Sequence, residues 1–371
     1  MTKISDNKMG WVRNLEELKI SNTSGYFVEY ELASDSYIPG LLDYNNGKIL
    51  CSPMTFERGI TGLYKYLLKV EFAHIDDPTF NQNANKKGYL FKEGIPGELT
   101  ALLSLYFQCR FYLLAAYYLT SQGSKVKSEY EIVFRPCGPN FNPAYFPGSD
   151  RNFAVGLSDF LNLVICIDVK YHQQLILACY HYAKALKEFG IDEEMVFIRL
   201  VSAIEALSQW AKLKNSDDLF DGRQFSEVVK TDLLFIDEQN ELENIFETRK
   251  SKIRYKRFIE QYSKGFFKGG NFKAPHTKIK KANLPKTLDA IYDSRSHYLH
   301  KGKPMYLSLP MRGGQKWDTD PSLEMIIDNR KFSKKEKLPY GDFFQRLVRH
   351  CLMQFIVDVP KKSKAISPIN P

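Results

Sequence analysis

"LTALLSLYFQCRFYLLAAYYL", residues 99–119, is the stretch on which the fold class turns. As a single helix it is long enough to cross a bilayer. Gln108 and Arg110 stand at its middle, however. A central arginine costs about 2.5–3.5 kcal/mol even on insertion scales. The stretch is therefore read as a helix buried in a protein core, not in a membrane.

The flanking segments predict a mixed domain. "GYFVEYEL" (25–32) and "GKILCS" (47–52) are rich in aromatic and β-branched residues and read as strands. "TFERGITGLYKYLLKVEF" (55–72) reads as a helix, and "DDPTFNQNANKKGY" (76–89) as a polar loop. "SEYEIVFR" (128–135) alternates, with Tyr130, Ile132 and Phe134 on one face. Four prolines and two glycines make 136–152 irregular. This half carries no phosphate loop, nucleophile elbow or dinucleotide fingerprint.

With 371 residues the chain exceeds what one core usually organises, so two domains are expected. The start is polar and lacks the apolar stretch of a signal peptide. Cys51, Cys109, Cys137, Cys166, Cys179 and Cys351 have no zinc or redox spacing and lie scattered through apolar runs. Buried, reduced thiols and a cytoplasmic location are the expectation. No cofactor is implied.

From about residue 168 the pattern becomes helical. In "YHQQLILACYHYAKALKEFG" (171–190), Leu175, Cys179, Tyr182, Leu186 and Phe189 recur in steps of three and four, and Gly190 ends the run. Asp192 is placed to cap the next helix, where Phe197, Leu200, Val201, Ile204, Leu207 and Ala211 form the stripe. Glu205 lies at the edge of that stripe. "LPKTLDAIYDSRSHYLHKG" (284–302) reads as a helix with Leu288, Ile291, Tyr292 and Leu299 inward, and 341–359 as a closing amphipathic helix. The predicted architecture is an α+β N-terminal domain (1–167) followed by a mainly α helical bundle (168–371).

Charge is concentrated. Residues 249–286 hold thirteen Lys or Arg and one acid, Glu260, a net +12 within a chain of +9, so the remainder is slightly acidic. Tyr255, Phe258, Tyr262, Phe266, Phe267 and Phe272 are interleaved. Such a stretch can neutralise phosphates and stack on bases. Equally, it can be a solvated basic face whose aromatics pack inward. Lys278, Lys280 and Lys281 are its candidate RNA contacts, joined by Lys301 and Lys303 further on.

The second half resembles the HEPN superfamily, most closely its ApeA-like branch, over about residues 168–359. "LACYHYAKALKE" (177–188) is similar to the first bundle helix. "FIRLVSAIEAL" (197–207) carries Glu205 where such domains hold a Glu within an apolar helix. "YKRFIEQY" (255–262) and "DFFQRLVRHCLMQFI" (342–356) fit the middle and closing helices. Arg295 to His300 is similar to the superfamily's Arg-x4-6-His motif. The chain departs from many members in placing Ser296 directly after the Arg. The resemblance implies a metal-independent endoribonuclease that works as a homodimer, often in toxin–antitoxin or phage-defence systems. It also implies RNA as partner and a restraining antitoxin or defence protein. Inactive members serve as RNA-binding or interaction modules.

The chemistry fits the residue types. Cleavage by 2′-OH attack needs two proton transfers, within reach of His300, and charge stabilisation at phosphorus, within reach of Arg295. The products would be a 2′,3′-cyclic phosphate and a 5′-hydroxyl. Ser296, His297 and Glu205 are auxiliary candidates, Glu205 either by pairing with Arg295 or by completing a buried polar network. Residues five apart in a regular helix differ by about 140° around the axis. Arg295 and His300 thus converge only if the helix tightens near Leu299 or if two copies meet. Asp293, His297 and His300 do share a face and raise a rival reading, a metal-dependent hydrolase. The plainest alternative is a helix end whose cations meet free carbonyls.

Overall fold

The computed structural model describes residues 8–21, 25–55, 63–74, 94–119, 125–129, 152–153, 155–213, 219–220, 223–224, 250–268, 278–305, 318, 325–327, 330–332 and 338–359. These form two compact units, 1–191 with 355–371, and 192–354.

The first unit is an antiparallel sheet with helices. Its strands are β1 (Tyr26–Ser34), β2 (Leu42–Tyr44), β3 (Ile49–Pro53), β4 (Tyr64–Phe72), β5 (Phe111–Leu119) and β6 (Lys125–Glu129), in the order β2-β3-β4-β1-β5-β6. Its helices are α1 (Gly10–Ser21), α2 (Gly94–Phe107), α3 (Leu157–Ile165) and α4 (His172–Glu188). On one sheet face Tyr30, Leu32, Cys51, Tyr66, Leu68 and Val70 are fully buried. The other face balances its own charges. Lys65 pairs with Glu31 at 2.5 Å, Lys48 with Glu71 at 3.3 Å, and the Lys69 ammonium lies 4.7 Å from the Phe27 ring centre. Alternation of apolar and charged positions is what a half-solvated antiparallel sheet requires.

Two helix predictions fail here. Residues 64–72 are strand β4, paired along its length with β1 and over part of it with β3. Its fully buried positions, 66, 68 and 70, repeat every second residue, and Glu71 and Phe72 at its end are buried as well. The adjacent leucines Leu67 and Leu68 imitate a helical stripe, whereas the aromatic and β-branched neighbours favour the pleat. The stretch 99–119 is likewise not one helix. α2 ends at Phe107, Gln108 turns the chain at φ +52°, and 111–119 forms β5 between β1 and β6. An unbroken apolar run carries no period, so only the pairing partner chooses helix or strand. Arg110, which argued against a membrane span, is buried in an ion pair with Asp35. Among the described residues no helix is long and apolar enough to cross a membrane.

The polar loop at 76–89 lies outside the described residues, as do Cys137 and nearly all of the irregular stretch 136–152. The thiols of Cys51, Cys109, Cys179 and Cys351 are buried as expected, but Cys166 is exposed. It follows the last turn of α3 and faces outward.

α4 keeps its predicted span and lies in the first unit, against α2. The chain is therefore divided at 191/192, after the helix that the sequence grouped with the bundle.

The second unit is mainly helical. It contains α5 (Glu193–Ser208), α6 (residues 250–262), α7 (Leu284–Lys301) and the greater part of α8 (Gly341–Asp358). Short antiparallel pairs are β7 (Leu219–Phe220) with β8 (Arg223–Gln224), and β9 (Met325–Ile327) with β10 (Arg330–Phe332). Asp192 caps α5 by accepting from the Met195 N–H at 2.9 Å. Phe197 of α5 stacks on Phe344 of α8 with ring centres 5.5 Å apart. Tyr255 and Phe258 of α6 and Leu288 and Ile291 of α7 complete the core. The described residues thus bear out an α+β first part and a helical second part.

Candidate functional site

The predicted site residues lie on α7 and face in different directions. Pro285 opens the helix, where a missing N–H costs nothing. Gly302 closes it at φ +59°, with its N–H on the Tyr298 carbonyl (3.1 Å) and the Lys303 N–H on the His297 carbonyl (3.3 Å). Gly302, with Pro304 two residues on, therefore ends the helix after Lys301, and the helix stays regular through His300. Arg295 and His300 thus leave the axis about 140° apart and do not converge within one chain.

Arg295 turns toward α5. Its Nη2 donates to Glu205 Oε2 at 2.9 Å, and both side chains are about four-fifths shielded from solvent. Of the two roles open to Glu205, the structure has it paired with the arginine. The guanidinium carbon lies 5.9 Å from the centre of the Tyr292 ring, and that ring lies 5.2 Å from Tyr255. Burial, with the charge of and a hydrogen bond to Glu205, pushes the Tyr292 phenol up to about 12. Tyr255 is fully buried and its pKa is raised well above the ordinary value, first by burial and then by Glu205. Neither tyrosine was singled out in the sequence as a site residue. The available signal was helical spacing, since Tyr292 is one turn before Arg295.

His297 and His300 are both exposed, as are Lys301 and Lys303, and Ser296 is half-buried. Leu299, predicted to point inward, is 48% exposed, because it follows the histidines onto the solvent side of the last turn. Asp293 does not join the histidines. It accepts from Lys252 of α6 at 2.7 Å. Among the described residues no group of three His, Cys, Asp or Glu side chains is placed to hold a metal ion. Asp293, His297 and His300 share a helix face without forming such a cluster.

The basic stretch divides into compensated and open charges. Lys252 and Lys256 meet Asp289 of α7 at 3.2 and 2.9 Å, and Arg257 meets Glu260 at 2.7 Å. Burial tends to raise the Asp289 carboxyl, but hydrogen bonds from Lys256 and Lys252 outweigh it and hold the carboxyl below its ordinary value. Lys278 pairs with the buried Asp318 at 3.0 Å, and Arg346 shares that carboxylate at 3.1 Å. Lys280 and Lys281 remain exposed. Tyr255, Phe258 and Tyr262 are core residues rather than stacking platforms, and Phe266 packs on Phe343 at 5.7 Å between ring centres. Phe272 is outside the described residues.

No family model, no curated protein and no solved structure matches this chain.

Proposed function

We propose that the protein is a metal-independent endoribonuclease of HEPN type, working as a homodimer. The observation that carries this reading is the 2.9 Å ion pair between Arg295 and Glu205. It joins the arginine of the Arg-x4-His motif to the glutamate of the second motif helix, residues 90 positions apart in the chain. An arginine held by a carboxylate on one side keeps further N–H donors for phosphate. His300 is exposed beside Lys301 and Lys303, where a polyanion has access.

Because Arg295 and His300 diverge on one helix, the composite site is formed by two copies, each giving one half. One histidine takes the 2′-OH proton as oxygen attacks phosphorus. The P–O5′ bond breaks and a second protonated group supplies the proton to the leaving oxygen. Arg295 balances the extra charge on the phosphorane. A role in phage defence or growth arrest, with an antitoxin-like partner, comes with the resemblance and is part of the proposal. The second reading is a non-catalytic RNA-binding module, favoured by the exposed lysines Lys280, Lys281, Lys301 and Lys303.

The test is cleavage of end-labelled RNA in EDTA by wild type, Arg295→Ala and His300→Ala. Wild type should leave 2′,3′-cyclic phosphate ends, and each variant should lose at least about a hundredfold in rate, the lower end of acid–base contributions. Mixing the two inactive variants should restore about a quarter of the activity, since half of the re-formed dimers regain one intact site. RNA binding without cleavage would favour the second reading. Cleavage that stops in EDTA and returns with a divalent ion would overturn the mechanism.

A further inference from the structure

Arg295 is held from two sides, and only one of them is its ion pair. Glu205 grips Nη2 at 2.9 Å, while the Tyr292 ring lies against the guanidinium at 5.9 Å. Burial, the Glu205 charge and a hydrogen bond to Glu205 also hold the Tyr292 phenol proton. The ring of the fully buried Tyr255 packs on Tyr292 with centres 5.2 Å apart. Tyr292 is itself only 6% exposed. The Tyr292 ring thus neighbours Arg295, and its phenol senses the charge of Glu205.

We propose that Tyr292 is a positioning residue for Arg295. Its ring supports the guanidinium plane and its hydroxyl fixes the carboxylate that orients it. The arginine is thereby presented to a phosphate as a preformed fork. A long side chain otherwise loses rotamer freedom when it binds. One held by an ion pair and a neighbouring ring has already lost part of it, so less is surrendered at the transition state. This inference rests on the endoribonuclease reading for its consequence, but its geometry can be tested without RNA.

The experiment uses guanidinium as a probe. In Arg295→Ala the vacated space is bounded by Glu205 and Tyr292, so free guanidinium at low millimolar concentration should enter it. It should raise the melting temperature saturably, and urea at equal concentration should not. The double variants Arg295→Ala/Tyr292→Phe and Arg295→Ala/Tyr292→Leu should bind guanidinium more weakly. The expected losses are about threefold to tenfold without the hydroxyl and larger without the ring. In the otherwise native chain, Tyr292→Phe should lower single-turnover cleavage with little change in the affinity for uncleavable 2′-deoxy substrate. Circular dichroism identifies any variant that unfolds, and Tyr292→Phe, which keeps the ring, is then the deciding one.

Equal guanidinium binding with and without Tyr292 would overturn the proposal, as would no saturable binding to Arg295→Ala. If guanidinium binding depends on Tyr292 but the wild type never cleaves RNA, the positioning role stands and the endoribonuclease reading falls. If wild type cleaves and Tyr292→Phe cleaves equally fast, the endoribonuclease reading stands and the positioning role falls.

Discussion

Lys278 and Lys280 are two residues apart in one basic run and meet opposite fates. Lys278 is drawn onto Asp318, where only 14% of its side chain remains exposed, whereas Lys280 and its neighbour Lys281 face solvent. Only an exposed cation can exchange its counterions for phosphate. Charge reversal of Lys280 and Lys281 together should therefore reduce the salt slope of RNA binding by about one to two. Lys278→Glu should leave the slope unchanged and instead destabilise the fold, because it replaces a cation by a further carboxylate beside Asp318 and Asp342. Titration of RNA binding at several salt concentrations, with melting curves for each variant, separates the two effects. A smaller slope for Lys278→Glu alone would mean that the Asp318 pair opens to nucleic acid. The sequence showed both lysines as equal candidates. Their difference lies in an aspartate 40 positions away that no local pattern points to.

At the scale of elements, periodicity was a good guide wherever one period was present. α4, α5, α7 and α8 follow stripes with steps of three and four, and Asp192 and Gly302 mark a start and a stop by capping chemistry that is local. β4 and β5 escaped because their apolar residues also fit a helix. For β4 the pleat makes a direct prediction. Leu68 is fully buried and Leu67 only half-buried. Leu68→Ala should cost roughly 2–5 kcal/mol in urea unfolding, and Leu67→Ala less than half of that. Equal losses at the two positions would contradict the strand. The site helix shows the same division of labour. That α7 ends near residue 301 was legible from Gly302 and Pro304, but that Arg295 meets α5 was not. The angle around a helix axis follows from the sequence, whereas the neighbour on each side follows from packing.

At the scale of the first unit as a whole, a single buried carboxylate ties distant segments together. Glu98 of α2 accepts from the backbone N–H groups of Gly10 and Trp11 at 2.8 and 2.9 Å, and so caps α1 from another helix. Burial raises its pKa from an ordinary 4.5 to about 7, despite these hydrogen bonds and the nearby Arg13. A carboxyl with a raised folded pKa holds its proton more tightly in the fold than in the unfolded chain. Its contribution to stability is therefore full below about 4.5 and lost as pH rises through about 7. The loss is roughly 3 kcal/mol. Urea unfolding of wild type between pH about 5 and about 8 should show this decline, and Glu98→Gln should flatten it. An unchanged profile in the variant would remove Glu98 as its source. Asp35, also raised by burial, is common to both proteins. The sequence by itself determined which segments are amphipathic helices, where they are capped, that the centre of 99–119 is too polar for a membrane, and that an Arg-x4-His motif ends one helix. Those properties depend on residues within a few turns of one another. Tertiary structure alone decided that 64–72 and 111–119 are strands, that Glu98 caps a remote helix, that Asp318 takes Lys278 out of the basic surface, and that Glu205 and Tyr292 converge on Arg295. Each of these depends on partners far away in the chain, whose approach is set by burial and hydrogen-bond satisfaction in three dimensions.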